Sequence, residues 1–231
     1  MLNVIGKNVE TLKTILINLP YILEGTYITV LLVVGALALG FCLGVPLAIM
    51  QVYGNSLIRR CVGLYVWFFR GVPILLLLFL FYFGLFNVIG LNLDALTASG
   101  LVLGLASSAY QSQIFRGSIQ SLPIGQYKAG SALGMTDAQI IKNIILPQAL
   151  RLSIPGWSNE FSILLKDSAL CFAVGASEIM ARAHFVASRT YEYLPLYITA
   201  GFLYFLITLA GIRILRRVEQ KYAIPGYTLS V

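Results

Sequence analysis

The chain has 231 residues, of which 58% are hydrophobic and only 11% charged, a balance far from that of an ordinary soluble domain. Its formal net charge is +7 at pH 7, and the placement of the basic residues has a membrane explanation, so no nucleic-acid partner is expected. Cys42, Cys61 and Cys171 are odd in number and widely spaced, which argues against a disulfide framework or a metal site, and the single His184 excludes a histidine ligand cluster.

The N-terminal stretch carries Lys7, Glu10 and Lys13 before any apolar run, with no small-residue cleavage pattern after one, so no removed signal peptide is expected. Residues 3–19 suit an amphipathic helix along the membrane, with Pro20 turning the chain inward. Charges are then absent from Gly25 to Ile58, Gly71 to Leu93, Ala95 to Phe115 and Tyr193 to Ile212. Each gap reaches or exceeds the ~20 residues a helix needs to cross the ~30 Å hydrocarbon core. The runs are leucine-rich and do not alternate, which favours helices over barrel strands. Leu152 to Met180 is mostly apolar but holds Glu160, Lys166, Asp167 and Glu178. It reads as a membrane helix, or two half-helices, with those residues facing protein or a cavity; the alternative is a loop plus a buried soluble helix.

These runs define an all-α membrane protein of five transmembrane helices, about 22–52, 59–86, 94–117, 148–180 and 193–215, in a single domain over 1–231. One side receives Arg59, Arg60, Arg116, Lys128, Lys142, Arg151, Arg213, Arg216, Arg217 and Lys221, and the other only Lys7, Lys13, Arg182 and Arg189. The positive-inside rule therefore places the C-terminus in the cytoplasm and the N-terminus outside. Gly40 and Gly44, like Gly100 and Gly104, are four apart and permit close helix approach, either inside the monomer or at a dimer seam. Pro46 is expected to bend the first span.

Between the third and fourth spans lies a cytoplasmic two-helix loop, 118–147. Pro123 and Gly125 open it, and Gln126 to Leu133 forms a helix with small residues Ala129, Gly130 and Ala132. Gly134 supplies a positive φ that ends this helix. Thr136 and Gln139 fit a capping box that starts the next. Ile140, Ile141, Ile144 and Ile145 make an apolar stripe suited to the membrane domain, and Pro147 interrupts the ladder at re-entry. A small-residue helix lets a partner's groove close around its backbone.

The set Lys128-Ala129-Gly130, Gly134 and Ile144-x-Leu146-Pro147 resembles, in its spacing, the "EAA" loop of permease subunits of bacterial ABC importers. Leu19-Pro20 with Gly25-Thr26, Phe69-Arg70-Gly71-Val72-Pro73, Ala109-Tyr110, Arg116-Gly117, Asn159-Glu160-Phe161 and Leu164-Leu165-Lys166-Asp167-Ser168 look like the branch that imports polar amino acids, the histidine, glutamine, glutamate, arginine and cystine type. The resemblance runs over about residues 15–222. It implies that Lys128, Ala129, Gly130, Gly134, Ile144, Leu146 and Pro147 dock a cytoplasmic ABC ATPase. It further implies a second permease, identical or homologous, an extracytoplasmic solute-binding protein, and the bacterial inner membrane as the location. Two positions depart from the family pattern: Lys128 and Gln113 stand where it commonly has glutamate.

An amino acid is a zwitterion, so its path needs an anion near the ammonium and a cation or helix N-terminus near the carboxylate. Glu160 and Asn159 are candidates for the first role, and Arg70, followed by Gly71 and Pro73, for the second. Asp167, seven residues after Glu160, shares its helical face. Alternatively, Glu160, Lys166 and Asp167 form an internal ion network that fixes packing. No glycine-rich phosphate loop ending in Gly-Lys-Ser/Thr is present, so no cofactor is expected on this chain, and ATP and Mg belong to the ATPase. The rival classes are a nucleotide-independent channel or carrier and, with less support, a membrane-embedded enzyme.

Overall fold

A computed structural model describes residues 2–222, with side chains from Glu10 onward. Among the described residues the regular structure is helical, without a strand. Helix α1, Leu2–Tyr53, is continuous through both Pro20 and Pro46. The inward turn expected at Pro20 is therefore not a break in the helix. In an apolar setting the helix keeps its backbone groups satisfied, and that outweighs the loss of one N–H donor.

The second expected span is broken. Helix α2, Ser56–Gly71, and the run of α3 (Ile74–Phe79), a π-helical turn (Leu80–Leu85) and α4 (Phe86–Val88) meet at a 106° bend. Pro73 explains the corner, because it lacks an N–H and its ring pushes Val72 out of the α region. By length and composition, α11 (Tyr193–Tyr222) and the Glu10–Tyr53 part of α1 can each cross a membrane, and the bent pair adds a third if it counts as one span. Helix α5, Ala95–Gln120, has the length but not the apolar content, because Ser107, Ser108, Gln111, Ser112 and Gln113 interrupt it. The Leu152–Met180 region is divided among the end of α8 (Leu146–Leu152), α9 (Ile154–Asp167), a 3-10 turn (Ser168–Val174) and the start of α10 (Ile179–Thr190).

The chain forms two compact units. The first takes the residues up to Ala36, Val72–Gly104 and Ile163–Ala210. There Gly25 lets α1 run against the start of α10, since a Cβ on it would lie 2.8 Å from the backbone nitrogen of Ile179. Thr29 Oγ1 accepts a hydrogen bond from that same N–H at 3.3 Å. Glu178 is fully buried as the N-cap of α10. It accepts from Met180 and Ala181 N–H at 2.9 and 2.7 Å, and from the Tyr204 hydroxyl. A carboxyl group at that depth is tolerated because both its oxygens accept hydrogen bonds and the helix N-terminus is positive.

The second unit takes Leu37–Gly71, Leu105–Ser162 and the residues from Gly211 on. Gly40 and Gly44 face Ser107, Ser108, Gln111 and Ser112 of α5; a Cβ on Gly44 would sit 3.2 Å from the Ser108 carbonyl oxygen. That pair packs inside the monomer, which decides between the two readings of its spacing. A core of Ala48, Phe115, Ile119, Leu122, Ile140, Ile145 and Ala149 joins α1, α5 and the hairpin that follows α5.

Candidate functional site

The hairpin forms from local rules. Helix α6 spans Ile124–Ala132 behind Pro123, two residues earlier than expected at its start. Gly134 has φ +77°, and Met135 N–H returns to the Gly130 carbonyl at 3.1 Å, closing the turn. Helix α7, Asp137–Ile140, starts on the expected box: Thr136 N–H donates to Gln139 Oε1 at 2.9 Å, and Gln139 N–H to Thr136 Oγ1 at 3.4 Å. A π-helical turn over Ile141–Ile145 leads into α8, absorbing the missing donor of Pro147.

Two side-chain links tie the hairpin together. Gln126 and Gln148 exchange amide hydrogen bonds at 3.0 and 2.8 Å. Tyr127 donates to Asp137 at 2.6 Å and stacks on Tyr53 at 5.9 Å. The Asp137 carboxylate, accepting that bond, pushes the Tyr127 hydroxyl above its ordinary pKa.

The isoleucine stripe faces inward as expected: Ile140 and Ile145 are buried and Ile144 half-buried. The small residues divide between two faces. Gly130 is buried, and a Cβ there would lie 2.8 Å from Ile140 Cγ1, so it serves the closure of the hairpin. Lys128, Ala129, Ser131 and Ala132 are exposed, as are Ile124 at 70% and Leu133 at 81%. Gly134 is exposed too, with nothing within 4 Å of a Cβ. The outer face of α6 is thus an apolar and small-residue surface carrying Lys128, and a second exposed lysine, Lys142, lies on the turn that follows α7.

Above it, still in the second unit, Glu160 is 4% exposed and accepts a hydrogen bond from Ser107 at 2.7 Å. Ser107 Oγ also accepts from Gln111 Nε2 at 3.0 Å. Gln111 donates to the Leu37 carbonyl at 3.1 Å and accepts from Trp157 Nε1 at 2.8 Å. The network joins α1, α5 and α9. Of this network the sequence singled out Glu160 alone as a candidate, and Ser107, Gln111 and Trp157 were not among its candidates. The available signal was Ser107 and Gln111, four apart in a charge-free run, which puts two polar groups on one helix face.

Asn159 is exposed beside Glu160. Arg70 is exposed at the end of α2, its guanidinium 5.0 Å from the centre of the Tyr110 ring. Asp167 is half-buried at the end of α9 and belongs to the first unit, and Lys166 is exposed. Gln113 donates to Gln51 Oε1 at 2.7 Å and accepts from Arg116 at 3.2 Å. An amide does both at once, whereas an ionised carboxylate only accepts.

Residues 40–224 match the family described as "binding-protein-dependent transport system inner membrane component". The arginine transport system permease protein ArtQ of Bacillus subtilis is 35% identical over 204 residues, 88% of this chain and 93% of that one. The histidine/lysine/arginine/ornithine transport system permease protein HisM of Salmonella typhimurium is 33% identical over 222 residues, 92% and 94% of the two chains. Among solved structures, one described as an amino acid ABC transporter with histidines superposes with a TM-score of 0.79 at 33% identity, covering 87% of this chain and 94% of that one. The MetNI methionine ABC transporter shares the fold, with a TM-score of 0.71 at 24% identity over 86% and 96% of the chains. A match over that length shows that the chain belongs to the binding-protein-dependent inner membrane component family. It is an α-helical membrane permease of the amino-acid ABC importer kind.

Proposed function

We propose that this permease moves a polar amino acid across the bacterial inner membrane by alternating access, driven by a separate cytoplasmic ATPase. The observation that carries this reading is the hairpin: a capped turn at Gly134, fastened to the core through Ile140 and Ile145, with Lys128, Ala129, Ala132 and Leu133 facing outward. A rigid element of this kind transmits a push from a docked partner to α1 and α5, on which it rests. Five spans with the N-terminus outside and the C-terminus in the cytoplasm put the hairpin on the ATPase side.

The assembly comprises two such permeases, identical or homologous, the ABC ATPase, and an extracytoplasmic binding protein that delivers substrate near Ser177–Leu194. ATP and Mg are held by the ATPase, and nucleotide binding there shifts the permease between inward and outward forms. Within this chain Glu160 offers the anion for the substrate ammonium, with Asn159 beside it. Arg70 offers the cation for the carboxylate, and Asp167 lies further along α9. Because Glu160 is 4% exposed and bonded to Ser107, an ammonium reaches it only when α5 and α9 part. That requirement favours gated passage over an open channel.

Reconstitution in proteoliposomes with the ATPase and binding protein tests the proposal. Uptake is expected to require ATP and both partners. Flux at the full rate without nucleotide overturns the reading in favour of a channel or carrier.

A further inference from the structure

Within the first unit, α10 is pinned to α1 at its beginning and stands away from it at its end. At the start, Gly25 admits the backbone of Ile179. One turn on, Arg182 pairs with Glu24 at 2.6 Å, donates to the Tyr21 carbonyl at 3.0 Å, and lies 4.7 Å from the centre of the Tyr21 ring. Past Phe185, whose ring is 5.9 Å from that of Tyr21, the helices leave a cavity of about 600 Å³ lined by Asn18, Tyr21, Phe185, Val186, Arg189 and Thr190.

The lining has a definite chemistry. Arg189 is exposed, its guanidinium 5.3 Å from the Phe185 ring centre, and among the described residues none that lines the cavity carries a carboxylate. The nearby cation Arg182 is already neutralised by Glu24, so Arg189 is the charge the cavity has to offer. The two rings are themselves partly exposed, Tyr21 at 39% and Phe185 at 48%, and the neighbouring Leu16 and Ile17 are exposed at 60% and 66%. Aromatic rings, an arginine and exposed aliphatic side chains together mark the headgroup level of a bilayer. An amino-acid substrate fits less well, because the described lining offers its ammonium neutral acceptors and ring faces but no carboxylate.

We propose that this cavity between α1 and α10 seats the phosphate of an anionic phospholipid, with Arg189 holding the headgroup and the Tyr21–Phe185 pair covering the first part of the acyl chains. The lipid site needs only that the chain lie in a membrane, and it takes up the end of α10 within the Ser177–Leu194 stretch near which the binding protein delivers substrate. A headgroup seated there ties the outer half of α10 to α1 through the lipid rather than through a direct contact.

The test is native mass spectrometry of the purified importer complex with short-chain phosphatidylglycerol or phosphatidylcholine. The intact protein is expected to retain phosphatidylglycerol preferentially. Arg189→Gln should reduce that retention about fivefold, the weight of one surface arginine, and Arg189→Lys should restore most of it. Melting of each variant in detergent without added lipid separates this loss from misfolding. Equal retention of the two lipids, or an unchanged Arg189→Gln protein, overturns the proposal. So does displacement of the lipid by millimolar inorganic phosphate, which marks a free-anion site, or by the binding protein, which marks a protein surface. Full-rate flux without nucleotide by a permease with normal lipid retention would count against the transport reading alone.

Discussion

Glu160 of α9 and Ser107 of α5 share a 2.7 Å hydrogen bond across 53 positions of sequence, and the hydroxyl is itself held by Gln111 at 3.0 Å. A hydrogen bond to a charged, buried acceptor is worth about 1.5–3 kcal/mol. Glu160→Gln keeps the shape and removes the charge. Uptake of cationic amino acids in proteoliposomes should fall about tenfold, a loss of about 1.4 kcal/mol, with a smaller effect on neutral ones. Equal uptake of both by the variant would assign Glu160 to packing, together with Gln111 and Trp157.

The hairpin offers a contrast between two glycines. At Gly134, φ is +77° and nothing crowds a Cβ, so Gly134→Val acts through backbone strain, about 1–2 kcal/mol for a residue in the left-handed region. At Gly130 the backbone is ordinary helix, but a Cβ meets Ile140 Cγ1 at 2.8 Å, and overpacking costs about 1–3 kcal/mol. Both variants should insert in the membrane normally and lose ATPase in a pull-down. A Gly130→Val, Ile140→Ala double variant should recover part of the binding, while Ile140→Ala should not rescue Gly134→Val. Full ATPase capture by Gly134→Val would remove the hairpin from the docking role.

This hairpin was legible in the sequence because its determinants are local: a capping box between Thr136 and Gln139, a glycine where φ is positive, an isoleucine stripe. Which way Gly130 faces was not, because counting small residues does not say which side the next helix covers. The bond from Glu160 to Ser107 was hidden for a different reason, since neither periodicity nor charge gaps report which two helices meet. Charge-free runs also overstated continuity. They pass over Gly71-Val72-Pro73, where backbone chemistry breaks the second span, and over the serines and glutamines that make α5 less apolar than its missing charges suggest.

Gly25 tests how tightly α1 and α10 are joined. A Cβ there meets backbone atoms of Glu178 and Ile179 at 2.8–2.9 Å, and backbone cannot rotate away as a side chain can. Gly25→Ala should lower the thermal midpoint in detergent by about 3 °C or more, given an overpacking cost of about 1–3 kcal/mol. Gly35, on the same helix, has nothing within 4 Å of a Cβ, so Gly35→Ala should leave the midpoint unchanged or raise it. Equal midpoints for the two variants would show that α10 shifts freely.

Lys128 stands exposed on the outer face of α6, where the family pattern commonly places a carboxylate. The acidic residue of the hairpin, Asp137, accepts a hydrogen bond from Tyr127 at 2.6 Å, so the lysine is left to the partner. Its contribution should be modest and sensitive to salt, because exposed ion pairs are well solvated. Lys128→Ala should weaken ATPase binding by about two- to fivefold at low ionic strength, and the difference should shrink at high salt. Lys128→Glu should weaken it further by placing like charges opposite one another if the ATPase cleft carries a carboxylate there. Binding measured on the reconstituted pair at two salt concentrations checks this. A Lys128→Glu permease that binds as tightly as the unaltered one at low salt would show that the lysine points past the cleft, and that docking rests on Ala129, Ala132 and Leu133 alone.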